Sequence, residues 1–176
     1  MKNCLFVGSF NPITKSHLNI SKDLLSNKIV DYIYFLPVNS SKDNLVSIKD
    51  RINMIDLVKT NNMETLNIYD YNENGLFNYF ILLKLNKNIT HILMGSDLFS
   101  KFKTFINYKE ILNKYYIIVV EREFEININN YLEYKDKIII INKKYLGSST
   151  LARKLKNNLY LDYKVLDYIK KNNLYN

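Results

Sequence analysis

His17 is one of only two histidines in the chain, and it closes the segment Gly8-Ser9-Phe10-Asn11-Pro12-Ile13-Thr14-Lys15-Ser16-His17. An apolar run ends at Gly8, Asn-Pro makes a turn, and a helix begins near His17. Gly8 removes a side chain where a ligand or a second backbone can approach closely. A helix start offers free N–H groups and the positive end of a dipole, which together make an anion site. Thr14 and His17 are three residues apart, so a hydroxyl and an imidazole can face one phosphate. An imidazole N–H placed there stabilises the charge that builds on a phosphorus under in-line attack. The plainer reading of His17 is a helix cap or a satisfied wall residue. No Gly-rich run ending in Gly-Lys-Ser/Thr is present, nor Gly-x-Gly-x-x-Gly, which excludes the Walker A and dinucleotide fingerprints.

Two further segments have residue types suited to the same ligand. Gly147-Ser148-Ser149-Thr150-Leu151-Ala152-Arg153 opens a helix after the last strand. Ser148 suits an N-cap, Ser149 and Thr150 add hydroxyls to the first turn, and Arg153 can fork onto a phosphate oxygen. Met94-Gly95-Ser96-Asp97 follows a central strand. A short carboxylate there can accept from ribose hydroxyls, or simply cap the next helix.

These segments need a scaffold that gathers strand ends, and the apolar pattern supplies one. Strands are expected at Asn3–Val7, Ile29–Pro37, Thr65–Tyr69, Ile89–Met94, Tyr115–Val120 and Lys137–Ile141. Several are continuously apolar, as strands buried on both faces are. Helical spacing appears at Leu18, Leu24 and Leu25, at Ile48, Ile52, Ile55 and Val58, over Leu76–Leu85, and at Val165, Leu166 and Ile169. Strict alternation predicts an α/β fold, a doubly wound parallel sheet in a single Rossmann-like domain over residues 1–176, with a helical C-terminal part from about 148. A flavodoxin-like domain shares this periodicity. The charged, Asn-rich region 121–136 is the expected irregular insert. Ligands of such sheets bind at the carboxyl ends of the strands, where all three segments fall.

Composition narrows the classes. Hydrophobic residues make up 47% and charged residues 24%, a globular balance. No apolar run approaches the roughly 20 residues of a membrane span. The first residues lack a signal-peptide pattern, and the one cysteine, Cys4, sits in an apolar run as a buried filler, so the chain reads as cytoplasmic with no membrane partner. A formal charge of +8 raises nucleic acid as a partner, but the lysines are scattered among Asn, Asp and Glu, and no basic-aromatic surface motif appears. The positive field suits anionic small molecules instead. His91 has no carboxylate or cysteine neighbour for a metal site and reads as structural. Nothing in the pattern forbids a homo-oligomer.

Taken in order, these motifs resemble the nucleotidyltransferase superfamily with the (His/Thr)-x-Gly-His signature, and within it the nicotinate/nicotinamide mononucleotide adenylyltransferases. The resemblance runs over nearly the whole chain: Gly8 to His17, Gly95-Ser96-Asp97 with Phe105 near a common Trp position, Val119-Val120-Glu121-Arg122, Ser148-Ser149-Thr150 with Arg153, and the ending Val165 to Ile169 with Leu174-Tyr175. It implies transfer of AMP from ATP, carrying Mg²⁺, to a pyridine mononucleotide without a covalent intermediate. The implied roles are catalysis for His17 and Thr14, and ATP binding for Gly8, Ser9, Phe10, Gly95, Asp97, Ser148, Ser149, Thr150 and Arg153. Asn11, Lys42, Phe77 and Arg122 would contact the second substrate, with Lys15 helping and Arg51 as a weaker phosphate ligand.

The departures from that pattern are specific. Ser16 stands where the motif has glycine, Thr14 where it often has histidine, and Gly147 where isoleucine is usual. The family's Tyr-Thr-x-x-Thr-Leu ring-recognition segment is replaced by Asn74 to Phe80. Phosphopantetheine adenylyltransferase is therefore the second reading, supported by Gly-Ser-Phe-x-Pro-Ile-Thr and Gly75-Leu76. A non-catalytic nucleotide-binding module is the third.

Overall fold

The computed structural model describes residues 1–39, 45–121 and 126–176. Six strands form one parallel sheet in the order β3-β2-β1-β4-β5-β6. They are β1 (Asn3–Gly8), β2 (Tyr32–Pro37), β3 (Met63–Thr65), β4 (Ile89–Gly95), β5 (Tyr116–Val120) and β6 (Ile138–Ile141). Among the described residues seven α-helices accompany them: α1 (Lys15–Ser26), α2 (Ile48–Asp56), α3 (Tyr79–Lys84), α4 (Ser96–Phe99), α5 (Tyr108–Lys114), α6 (Ser149–Leu155) and α7 (Tyr163–Lys171). The strand order reverses between β1 and β4, so a crevice opens at their carboxyl ends, beyond Gly8 and Gly95.

Both faces of the sheet are covered, which is why the central strands read as apolar throughout. Cys4 and Phe6 of β1 join one core with Leu18 and Leu24 of α1 and Val165 and Ile169 of α7. Leu5 and Val7 join the other with Ile48 of α2, Ile81 and Leu82 of α3, and Ile111 and Leu112 of α5. Alternate residues of one strand thus enter opposite cores.

Three expected elements differ in detail. The third strand is Met63–Thr65 rather than Thr65–Tyr69. It is a short sheet edge, and Asn67 accepts the Tyr69 N–H and starts a 3₁₀ turn at Ile68–Asp70. The helix read over Leu76–Leu85 begins only at Tyr79, because the Asn78 side chain accepts the Ile81 N–H and caps it there. The described part of the 121–136 insert ends in 3₁₀ turns over Asn129–Lys137, interrupted at Tyr131, whose buried ring meets Phe99 and Phe102.

Candidate functional site

The loop from Ser9 to Thr14 leaves β1 at the strand-order switch and is buried along most of its length: Phe10, Asn11 and Thr14 are each at most 2% exposed. Phe10 has φ +44° and folds its ring back over Gly8. A Cβ at Gly8 would stand 3.1 Å from the Phe10 Cζ, so the glycine makes room for that ring. Phe10 then meets Phe6, Phe35 and His17 at centroid distances of 5.1, 5.3 and 5.2 Å. Gly8 and Phe10 therefore shape the loop floor.

Thr14 is the N-cap of α1, and His17 is its third helical residue. The Thr14 N–H donates to His17 Nδ1 at 3.1 Å, and the Thr14 Oγ1 lies 2.8 Å from the same nitrogen. A backbone N–H can only donate, so Nδ1 holds a lone pair and the neutral ring carries its proton on Nε2. Thr14 thus sets the tautomer of His17. The first turn of α1 holds no acidic residue, which leaves its positive end uncompensated. Ser16, in place of the motif glycine, is buried in this same turn.

The second segment meets the first. Ser148 caps α6 by accepting the Leu151 N–H at 3.3 Å. Ser149 Oγ donates to the Pro12 carbonyl at 2.9 Å, and Arg153 Nη1 donates to the Asn11 carbonyl. Arg153 Nη2 lies 3.4 Å from Thr150 Oγ1, with Thr150 exposed at the helix start. The hydroxyls and guanidinium of α6 therefore stand against the loop that carries Thr14 and His17. Since α6 spans only seven residues, hydroxyl and guanidinium donors matter there more than its dipole.

Gly95 ends β4 and is the N-cap position of α4, and half-buried Asp97 lies in that helix's first turn. Phe77 is half-buried and its ring lies 6.0 Å from that of Phe105. Phe77 packs against the α3–α5 core, and no described contact joins it to the β1 loop. Lys42 and Arg122 lie outside the described residues. Lys15 donates Nζ to the Asn158 carbonyl.

Arg51 needs correction. It is 1% exposed, so it is not a surface phosphate ligand. Its Nε donates to the Val46 carbonyl at 3.1 Å, its Nη1 to the Ser9 and Val38 carbonyls at 2.8 Å each, and its Nη2 to Asn39 Oδ1 at 2.8 Å. One guanidinium thereby ties the loops after β1 and β2 to the start of α2. Sequence reasoning missed Asn39, whose N–H donates to the Gly75 carbonyl at 2.6 Å. Gly75 has φ +65°, and a Cβ there would stand 2.4 Å from Asn39 Nδ2. The turn replacing the ring-recognition segment is thus pinned to the same node.

A cavity of about 490 Å³ opens beside this turn, lined by Tyr69, Asn72, Asn74, Phe80 and Lys84 among others. No residue of the β1 loop lines it, so it is separate from the groove at the carboxyl end of β1. Among the described residues no three His, Cys, Asp or Glu side chains gather to hold a metal. The donors of the groove are hydroxyls, N–H groups and a guanidinium, a set for an anion rather than for a bare cation.

Comparison with known proteins supplies the family. The cytidylyltransferase-like family model matches residues 5–155. The probable nicotinate-nucleotide adenylyltransferase of Fusobacterium nucleatum is 34% identical over 171 residues, covering 89% of each chain. That of Endomicrobium trichonymphae is 31% identical and covers 99% of this chain and 98% of its own. In fold, the nicotinic acid mononucleotide adenylyltransferase of Plasmodium falciparum complexed with NaAD matches with a TM-score of 0.78, 23% identity, and coverage of 99% and 98%. By its matched length and its relatives, the chain belongs to the cytidylyltransferase-like family, among the nicotinate-nucleotide adenylyltransferases.

Proposed function

We propose that the chain transfers AMP from ATP to nicotinate or nicotinamide mononucleotide, releasing pyrophosphate, as a step of NAD biosynthesis. The observation that carries the reading is the Thr14–His17 contact. It leaves Nε2–H as the donor of an imidazole held at a helix start, beside the hydroxyls and guanidinium of α6. A 5′-phosphate oxygen of the mononucleotide attacks the α-phosphorus, the bond to the β-phosphate bridge oxygen breaks, and pyrophosphate leaves with the electron pair. His17 donates to the oxygens that gain charge, and donors at Ser149, Thr150 and Arg153 take the β- and γ-phosphates. Gly95 and Asp97 flank the adenosine ribose, Asn11 and Phe77 serve the mononucleotide side, and Lys42 and Arg122 are assigned to that same substrate by the family resemblance alone. Mg²⁺, arriving on the triphosphate, neutralises part of its charge. The hydroxyl, N–H and guanidinium donors of this chain would meet the phosphate oxygens, and the ion would lower the charge they must hold.

In this reading all 176 residues act as one nucleotidyltransferase unit in the cytoplasm, with residues from about 148 closing the triphosphate side. Among the described residues no helix is long and apolar enough to cross a membrane. The test is pyrophosphate release from ATP and Mg²⁺ with nicotinate mononucleotide, nicotinamide mononucleotide and phosphopantetheine offered separately. Release with a pyridine nucleotide supports the reading. Release with phosphopantetheine alone moves the chain to the second reading, and silence with all three refutes the transfer.

A further inference from the structure

The segment after α7 is tied down by specific contacts. Asn173 and Tyr175 adopt φ +50° and +61°, a left-handed backbone that is costly for a residue as bulky as tyrosine. These two residues turn the segment back on itself, and the Leu174 N–H donates to the Ile169 carbonyl at 3.0 Å. Leu174 and Tyr175 then pack on the core beneath α1 and α7. The backbone cost is offset by where this delivers the Tyr175 hydroxyl: 2.8 Å from Asn11 Oδ1.

Asn11 is the point where the β1 loop is held most heavily. Its Oδ1 also accepts the Val46 N–H at 3.2 Å, and its carbonyl accepts Arg153 Nη1. Because the Val46 amide can only donate, that side-chain atom must be the oxygen, so the carboxamide has one orientation. Tyr175 adds the shorter of the two bonds that set it. Burial pushes the Tyr175 phenol up, against the pull of the Arg153 and Arg51 guanidiniums, so it remains a donor across the working pH range.

We propose that Tyr175 is a positioning residue for the transfer reaction, acting through Asn11 to hold the β1 loop in its substrate-binding geometry. This rests on the function proposed above. Docking of the segment after α7 and assembly of the loop before α1 are then one event.

The test compares Tyr175→Phe, Asn11→Ala and the double variant in steady-state kinetics. Tyr175→Phe keeps the ring and removes one O–H, so it should raise KM for the mononucleotide about 5-fold, the worth of one part-buried hydrogen bond. Its kcat should stay within about twofold and its Tm within about 4 °C. In the Asn11→Ala background the same change should add nothing, because its route is gone. Hydrogen exchange over residues 9–14, faster in Tyr175→Phe than in wild type, gives a readout that needs no turnover. Wild-type silence with every acceptor would defeat the proposed function, while the exchange result would still decide the Tyr175–Asn11 coupling. Unchanged KM with unchanged exchange, or an equal effect of Tyr175→Phe with and without Asn11, would overturn the proposal.

Discussion

Replacing Arg51 by methionine should damage both stability and substrate binding, although Arg51 is to touch no substrate. Its guanidinium makes four hydrogen bonds, to Val46, Ser9, Val38 and Asn39, while 1% exposed. Four such bonds at about 0.5–1.5 kcal/mol each amount to about 2–6 kcal/mol in gross terms. Methionine also relieves the desolvation cost of a buried cation, which returns part of that, so the net loss should be about 3 kcal/mol. For a chain of this length that lowers Tm by about 6–12 °C. With the Ser9 and Val38 carbonyls left without their donor, the loops after β1 and β2 lose their common tie, and KM for ATP should rise about tenfold. Arg51→Lys keeps the charge but cannot reach four acceptors arranged for a fork, so it should fall between. Urea unfolding and initial-rate kinetics on both variants decide it. A methionine variant within about 0.5 kcal/mol of wild type, with unchanged KM, would refute the claim that this residue ties the loops together.

Other predictions are simpler. His17→Ala should leave ATP affinity nearly intact and cut kcat by about 10²–10³, the usual cost of one transition-state donor; full turnover would remove His17 from the chemistry. Arg153→Ala should weaken ATP binding about tenfold in a calorimetric titration, since it loses the proposed triphosphate donor together with the Asn11 carbonyl tie. His91 is held below its ordinary value chiefly by burial and secondarily by Lys2. The unfolded chain therefore takes up its proton first, and stability should fall as pH drops below about 6.5. His91→Gln should flatten that slope in melts between about pH 5 and 7.

The sheet was largely legible because β1, β4 and β5 are apolar on both faces, and no helix-spaced pattern competes with them. β3 differs from the expectation because its three residues are too few to show a period, and Ile68 beyond it is fully buried while Glu64 and Thr65 are only half-buried. The cap at Ser148 could be read from the sequence, since caps are local chemistry, whereas the helix expected to begin near His17 starts at Lys15 with Thr14 as its cap. The Arg51 node could not, because its acceptors come from loops far apart in sequence. One sign of it was nevertheless visible. Arg51 lies on the apolar stripe of α2 between Ile48 and Ile55, where a charge must find buried partners. The hold of Tyr175 on Asn11, 164 residues apart, had no local signal at all.

The central claim is that the β1 loop and α6 together move an adenylyl group, and isotope tracing tests it most directly. ATP labelled at the α-phosphorus, incubated with nicotinate or nicotinamide mononucleotide and Mg²⁺, should deliver its label into the dinucleotide. ATP labelled at the γ-phosphorus should deliver its label into pyrophosphate. No label in a dinucleotide, or γ-label appearing first as orthophosphate, would contradict the account.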